Sequence, residues 1–318
     1  MHASPAPAGL PRRCRVYQNH HFDSTRWDYF ERRPDDVVIA SSYKAGTTWT
    51  QSIVAHLLFP DGALPGPIAE ISPWLDMRIV PLEVVLNGLK QQTHRRFVKT
   101  HLPIDGLPWD ERMKYLYVSR DARDVFMSLW NHYSNHSEEA YLAFNTTRGR
   151  VGDEFPRPPA DIHAFWRTWT TRGWFDWESD GHPYWSHFSN VQSWWEFRHL
   201  PNLLFVHYAD LVDDTGREAR RIADFLEIKV PERDWPGILR SVSLAEMRKR
   251  GDQYAPGGGV FWNGGAQTFL HSGTNGRWRD VLSDEELALY DAAARRTLSP
   301  DCRRWLEHGR LYSAGRGE

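Results

Sequence analysis

The chain passes from the apolar run Val37-Val38-Ile39-Ala40 through the small-residue stretch SSYKAGTTWTQ (41–51) into Ser52–Leu58, and no other stretch constrains the fold as tightly. The apolar run reads as a buried strand. The apolar residues at 53, 54, 57 and 58 have helical spacing. Strand, small-residue turn and helix form the architecture of a phosphate-binding loop. Free backbone N–H groups at the helix start, with the positive end of the helix dipole, hold an anion there. A nucleotide P-loop reads G-x-x-x-x-G-K-S/T. Here the lysine comes early, at Lys44, and Thr47 stands where the Walker lysine belongs. The loop suits a phosphate-like group rather than ordinary ATP chemistry.

Short, continuous apolar runs recur at Asp36–Ser41, Arg96–Thr100, Tyr115–Ser119 and Asn202–His207. Such runs suit strands buried on both faces. Helical patterns lie between and after them, at Thr48–Leu58, Leu82–Gln92, Asp121–His136, Trp185–Arg198 and Arg217–Leu226. The alternation predicts a P-loop-type three-layer α/β fold, with a central parallel β-sheet flanked by helices on both faces. Ligands of such sheets sit beyond the carboxyl ends of the strands. Residues 1–15 read as a flexible N-terminal tail and 16–318 as a single domain. Within it, 144–183 read as a long excursion suited to a lid. The Gly-rich 251–279, with its interspersed Phe261, Trp262, Phe269 and Trp278, reads as a ligand-ordered loop. Ser283–His308 predicts one or two closing helices.

A net charge of −2 excludes a global attraction to nucleic acid or anionic membrane, so any anion site must come from local clustering. Cys14 and Cys302, near opposite ends, make no disulfide framework. The Pro- and Ala-rich start lacks the apolar core of a secretory signal, and no apolar run approaches the roughly 20 residues of a membrane span. A soluble cytoplasmic protein is expected. Seven of the sixteen Trp residues fall between Trp166 and Trp195. Most suit core packing, and some suit an aromatic ligand pocket.

The residues that bear chemistry fall at the predicted strand ends. Lys44, on the loop beside Gly46, can neutralise charge on a leaving phosphate oxygen. Thr47 and Thr48 add hydroxyls at the helix start. Trp49 offers a face for a base, or anchors the helix. Phe97-Val98-Lys99-Thr100-His101-Leu102-Pro103 ends a strand with a basic pair, and Pro103 biases Leu102 away from helix. His101 is a general-base candidate there, since imidazole suits proton abstraction near neutrality. Arg120, at the next strand exit, can meet phosphate with its two-pronged guanidinium. Ser128 lies eight residues on, about 12 Å along a helix. His132 and His136 have the i, i+4 spacing of a metal pair, but no Glu lies between them and no metal is expected. Asp213-Asp214 and Asp284-Glu285-Glu286 read as helix caps or dipole partners.

Together these segments resemble the cytosolic sulfotransferase family. Its first phosphosulfate loop, Tyr-Pro-Lys-Ser-Gly-Thr-Thr-Trp, is matched by Ser42-Tyr43-Lys44-Ala45-Gly46-Thr47-Thr48-Trp49. Its Lys-Thr-His-Leu-Pro segment is matched by Lys99 to Pro103, and its Arg with a Ser eight residues on by Arg120 and Ser128. Trp194-Trp195-Glu196 and Tyr208-Ala209-Asp210 resemble its Trp-Trp-Glu and Tyr-Glu-Asp. The resemblance covers about residues 35 to 282. It implies transfer of a sulfuryl group from 3′-phosphoadenosine 5′-phosphosulfate (PAPS) to a hydroxyl or amine of a small, apolar or aromatic acceptor, leaving 3′-phosphoadenosine 5′-phosphate (PAP). His101 would take the acceptor proton, Lys44 would stabilise the departing 5′-phosphate, Lys99 would bind the sulfuryl oxygens and Ser128 the 3′-phosphate. Ala45, Gly46, Thr47, Thr48, Trp49, Arg120 and Tyr208 would complete the nucleotide site. No metal, nucleic acid or membrane partner is implied.

The family's last nucleotide motif, Arg-Lys-Gly-x-x-Gly-Asp-Trp, is altered. Here it reads His271-Ser272-Gly273-Thr274-Asn275-Gly276-Arg277-Trp278. The glycines and the Trp survive; the Arg and Lys do not. Contacts from Ser272, Gly273 and Thr274 are expected, with Arg277 or Arg279 open as a source of the missing charge. The family's dimerisation segment is absent, so the resemblance implies no oligomeric state. A P-loop kinase or NTPase is the rival reading, and it predicts the missing Walker lysine. A carbohydrate sulfotransferase is a second rival, and it predicts a membrane anchor and commonly a Glu base.

Overall fold

The computed structural model describes residues 9–310. Of the expected tail, residues 1–8 lie outside the described residues. Cys14 and Arg15 donate backbone N–H groups to the Asp105 carbonyl, at 2.9 and 3.1 Å.

Four strands form one parallel sheet: β1 (Val37–Ala40), β2 (Phe97–Thr100), β3 (Lys114–Ser119) and β4 (Leu203–His207), in the order β2-β1-β3-β4. The register pairs Val37 with both Phe97 and Lys114, and Tyr115 with Leu203. All four strands therefore point their carboxyl ends the same way. Because β2 and β3 flank β1 on opposite sides, the strand order reverses at β1. That reversal is where open α/β sheets hold ligands.

Alternation along each strand feeds two separate cores. Val38, Ala40, Tyr115 and Tyr117 pack on one face with Phe126, Trp166, Trp169 and Trp194. Val37, Ile39, Leu116 and Val118 pack on the other with Ile53, Val54, Leu57 and Ile222. Helices Thr47–Leu58 and Thr215–Phe225 cover the second face; Ala122–Ser134, Ile162–Thr171 and His187–Trp195 cover the first. This is the expected three-layer arrangement. At the other end of the sheet, the Arg96 guanidinium makes a two-pronged ion pair with Asp36, at 2.8 and 2.5 Å, both side chains being buried.

Helix boundaries follow local chemistry. Asp121 is the cap of Ala122–Ser134, accepting from the Arg123 N–H, rather than its first residue. The expected helix from Trp185 begins only at His187, because Ser186 caps it and the Trp185 indole turns instead to the Ser42 carbonyl, at 3.1 Å. Asp214 caps Thr215–Phe225, and Ser283 with Glu286 forms a capping box on Asp284–Thr297. Pro300–His308 is the second closing helix.

The Trp-rich segment braces the phosphate loop. Trp169 Nε1 donates to the Tyr43 hydroxyl (2.8 Å), and Trp194 Nε1 to the Leu102 carbonyl (3.1 Å). The Gly-rich 251–279 is built of short helices tied to the end of Ala122–Ser134 through Ser137 N–H to Phe261 O (3.0 Å) and Asn263 N–H to Asn135 O (2.8 Å). Among the described residues no helix is long and apolar enough to cross a membrane.

Candidate active site

A cavity of about 500 Å³ opens at the carboxyl ends of β1, β2 and β3. The loop leaving β1 sets its floor. Lys44 takes a positive φ of 47°, and Gly46 one of 107°. A Cβ on Gly46 would meet the Tyr208 ring at 2.9 Å, so the backbone passes too close for any side chain. Thr47 then starts the helix.

His101 follows the end of β2 and is buried. Its Nδ1 lies 2.9 Å from the Ser41 carbonyl and 3.1 Å from Ser41 Oγ, which is itself 2.6 Å from Thr47 Oγ1. A carbonyl can only accept, so Nδ1 carries the proton and Nε2 keeps its lone pair. Burial holds the ring's pKa well below its usual value, and Lys99 and Lys44 lower it further. The ring is a neutral acceptor of protons at neutral pH. The Trp74 ring packs edge-on against it at 4.6 Å.

Lys44 and Lys99 line the same cavity. Neither forms an ion pair among the described residues. Burial, then Lys99 and Arg120, lowers the Lys44 pKa to about 7. Burial lowers that of Lys99 to about 8, with Asp76 opposing. Lys44 Nζ sits 4.6 Å over the Phe269 ring and Lys99 Nζ 4.7 Å over Trp74. Two desolvated cations beside a neutral imidazole make a site for an anion next to a base.

At the exit of β3, Arg120 is buried and donates through Nε to Asn275 Oδ1 (2.9 Å) and through Nη2 to the Thr274 carbonyl (2.7 Å). Its guanidinium lies 4.2 Å over the Tyr208 ring, whose hydroxyl donates to the Gly273 carbonyl at 2.9 Å. The 269–279 segment is thereby fastened to the sheet. Trp49 is fixed by Nε1 donating to the Val242 carbonyl at 2.9 Å, with its ring 5.4 Å from that of Tyr208.

Lys44, Gly46, Thr47, Thr48, Trp49, Lys99, His101, Arg120, Ser128, Tyr208, Ser272 and Gly273 all line this cavity. Two expected residues do not. Ala45 points its small side chain into the core, and Thr274 is exposed, meeting Arg120 through its carbonyl.

Residues 34–300 match the sulfotransferase domain family. The chain belongs to that family. It is 32% identical over 311 residues to a glycolipid sulfotransferase of Mycobacterium bovis, covering 93% of this chain and 94% of the relative. It is 30% identical over 271 residues to sulfotransferase 1E1 of Homo sapiens, covering 80% and 81%. Its fold is similar to that of a mouse sulfotransferase complexed with PAP, with a TM-score of 0.65, 22% identity and coverage of 88% of this chain and 90% of that one. It is also similar to a retinol dehydratase in complex with retinol and PAP, with a TM-score of 0.64, 24% identity and coverage of 87% and 84%.

This sulfotransferase also carries lining residues that sequence reasoning did not single out for the site. His132 Nδ1 lies 3.3 Å from Lys44 Nζ. It stands one helical turn beyond Ser128, and that i, i+4 spacing was the available signal. His21 stacks on Phe144 at 4.1 Å, and no sequence signal marks it. The aromatic lining consists of Trp74, Phe144, Tyr184 and Trp185, with Phe261, Trp262 and Phe269 from the Gly-rich segment.

Proposed function

We propose that this sulfotransferase uses PAPS as donor and sulfates a hydroxyl of a small acceptor, with His101 as general base. The observation that carries the reading is the buried, Nδ1-anchored His101 between Lys44 and Lys99 in one cavity. The acceptor oxygen attacks sulfur as its proton passes to His101 Nε2. The bond between sulfur and the 5′-phosphate oxygen breaks, and PAP leaves with the bonding pair. Lys44 meets the charge on that oxygen, and Lys99 the sulfuryl oxygens. Stabilisation rests on fixed cations that need no reorganisation during transfer.

Much of the remaining lining is aromatic and uncharged, with His21 held neutral by burial. It favours an acceptor with an apolar or aromatic body over a free sugar. The name of the mycobacterial relative puts a lipid-linked sugar hydroxyl among the acceptors to test. The unpaired thiols Cys14 and Cys302 fit a cytoplasmic setting. The test is a PAPS-dependent screen of phenols, aliphatic alcohols, amines and glycolipids, reading PAP release. Release with none of them, together with no PAPS binding, contradicts the reading.

A further inference from the structure

The cavity holds a second cationic cluster whose members have not all been given a task. Arg277 lines it beside Arg120, Ser128, Ser272 and Gly273. Its Nε is buried and has no hydrogen-bond partner, and among the described residues it forms no ion pair. Its Nη1 lies 3.4 Å from His271 Nδ1. Burial lowers the pKa of Arg120, and Arg277 is close enough to lower it further. Asp124 acts on Arg120 in the opposite sense, and its Oδ1 accepts from the Gly276 N–H at 2.7 Å.

The segment that carries Arg277 is held in place. Asn275 and Thr274 are fastened to Arg120, and Gly276 to Asp124, immediately before it. Arg279, two residues on, is exposed and lies 4.8 Å over the Trp278 ring instead. Of the two arginines that follow the altered motif, one faces the cavity and the other does not.

Two guanidiniums without an ion-pair partner among the described residues, with hydroxyls beside them, suit an anion of high charge and several acceptor oxygens. If the sulfuryl end of the donor lies against His101, Lys44 and Lys99, the donor's remaining dianion is the phosphate on its ribose. We infer that Arg277 binds the 3′-phosphate of the donor, in the role left vacant by His271 and Ser272. This rests on the PAPS reading above.

PAP and adenosine 5′-phosphate differ only by that 3′-phosphate, so their affinity ratio isolates the contact. Titration calorimetry on the full chain is expected to show wild-type protein preferring PAP. Arg277→Ala should cut the ratio about tenfold or more, as for loss of a charged, two-pronged contact, with adenosine 5′-phosphate affinity within about twofold. Arg277→Lys should lose part of the ratio, and Arg279→Ala none. Equal losses for both nucleotides, or an unchanged ratio in Arg277→Ala with thermal unfolding unaltered, overturn the assignment alone. Wild-type protein that binds neither nucleotide overturns the donor reading as well.

Discussion

Lys44 Nζ stands 3.3 Å from His132 Nδ1, which gives the buried lysine a polar side-chain neighbour. The lysine is faced by Lys99, Arg120, His101, His136 and His271, all of which disfavour its charge or are neutral. A neutral acceptor favours the ammonium form. His132→Phe should therefore lower the Lys44 pKa below about 7. Since the charged form meets the donor, the alkaline fall in kcat/KM for PAPS should move about half a unit to one unit toward acid, as for loss of one hydrogen bond of roughly 1 kcal/mol. His132→Asn, which keeps an acceptor, should move it less. A pH profile superimposable on wild type would remove His132 from this role.

Lys44→Ala separates binding from chemistry. If Lys44 acts on the leaving oxygen, kcat falls more than KM for PAPS rises. A pure rise in KM contradicts the role. Donor binding should also take up a proton at pH 8, because the polyanion restores a charge that the free site has lost above about pH 7. Calorimetry in buffers of different ionisation enthalpy reads this directly.

His101→Ala should keep PAP affinity and lose turnover by roughly 10²- to 10⁴-fold. If the neutral ring is the base, its low pKa matters: burial and Lys99 push it well down. At saturating PAPS, kcat should therefore show no acid-side loss down to about pH 6.5, because the ring stays neutral there. Turnover of the variant within a few-fold of wild type excludes His101 as base.

Arg96→Leu leaves Asp36 buried without its partner at the base of β1 and β2. Removing one member of a buried ion pair costs about 3–5 kcal/mol. Urea unfolding should show a lower midpoint with unchanged slope. A loss under about 1 kcal/mol contradicts an energetically coupled pair.

The strands were legible because each is a short apolar run feeding two cores, and period and composition report that directly. Lys44, Lys99, His101 and Arg120 were legible because a parallel sheet collects its strand ends. The Gly-rich 251–279 was not, since its short helices depend on contacts with Asn135 and Ser137 far away in sequence. The choice between Arg277 and Arg279 was also closed to sequence reasoning. It depends on the turn at Gly276, whose N–H is held by Asp124 across 152 positions.

Thr47 occupies the place of the Walker lysine, yet its hydroxyl is bound into the chain of contacts from Ser41 Oγ to His101 Nδ1. The position that grips a terminal phosphate in a nucleotide hydrolase is here part of the hydrogen-bonded scaffold around the His101 ring. A lysine at 47 would remove the hydroxyl that holds Ser41 Oγ beside the imidazole, leaving the ring on the Ser41 carbonyl alone.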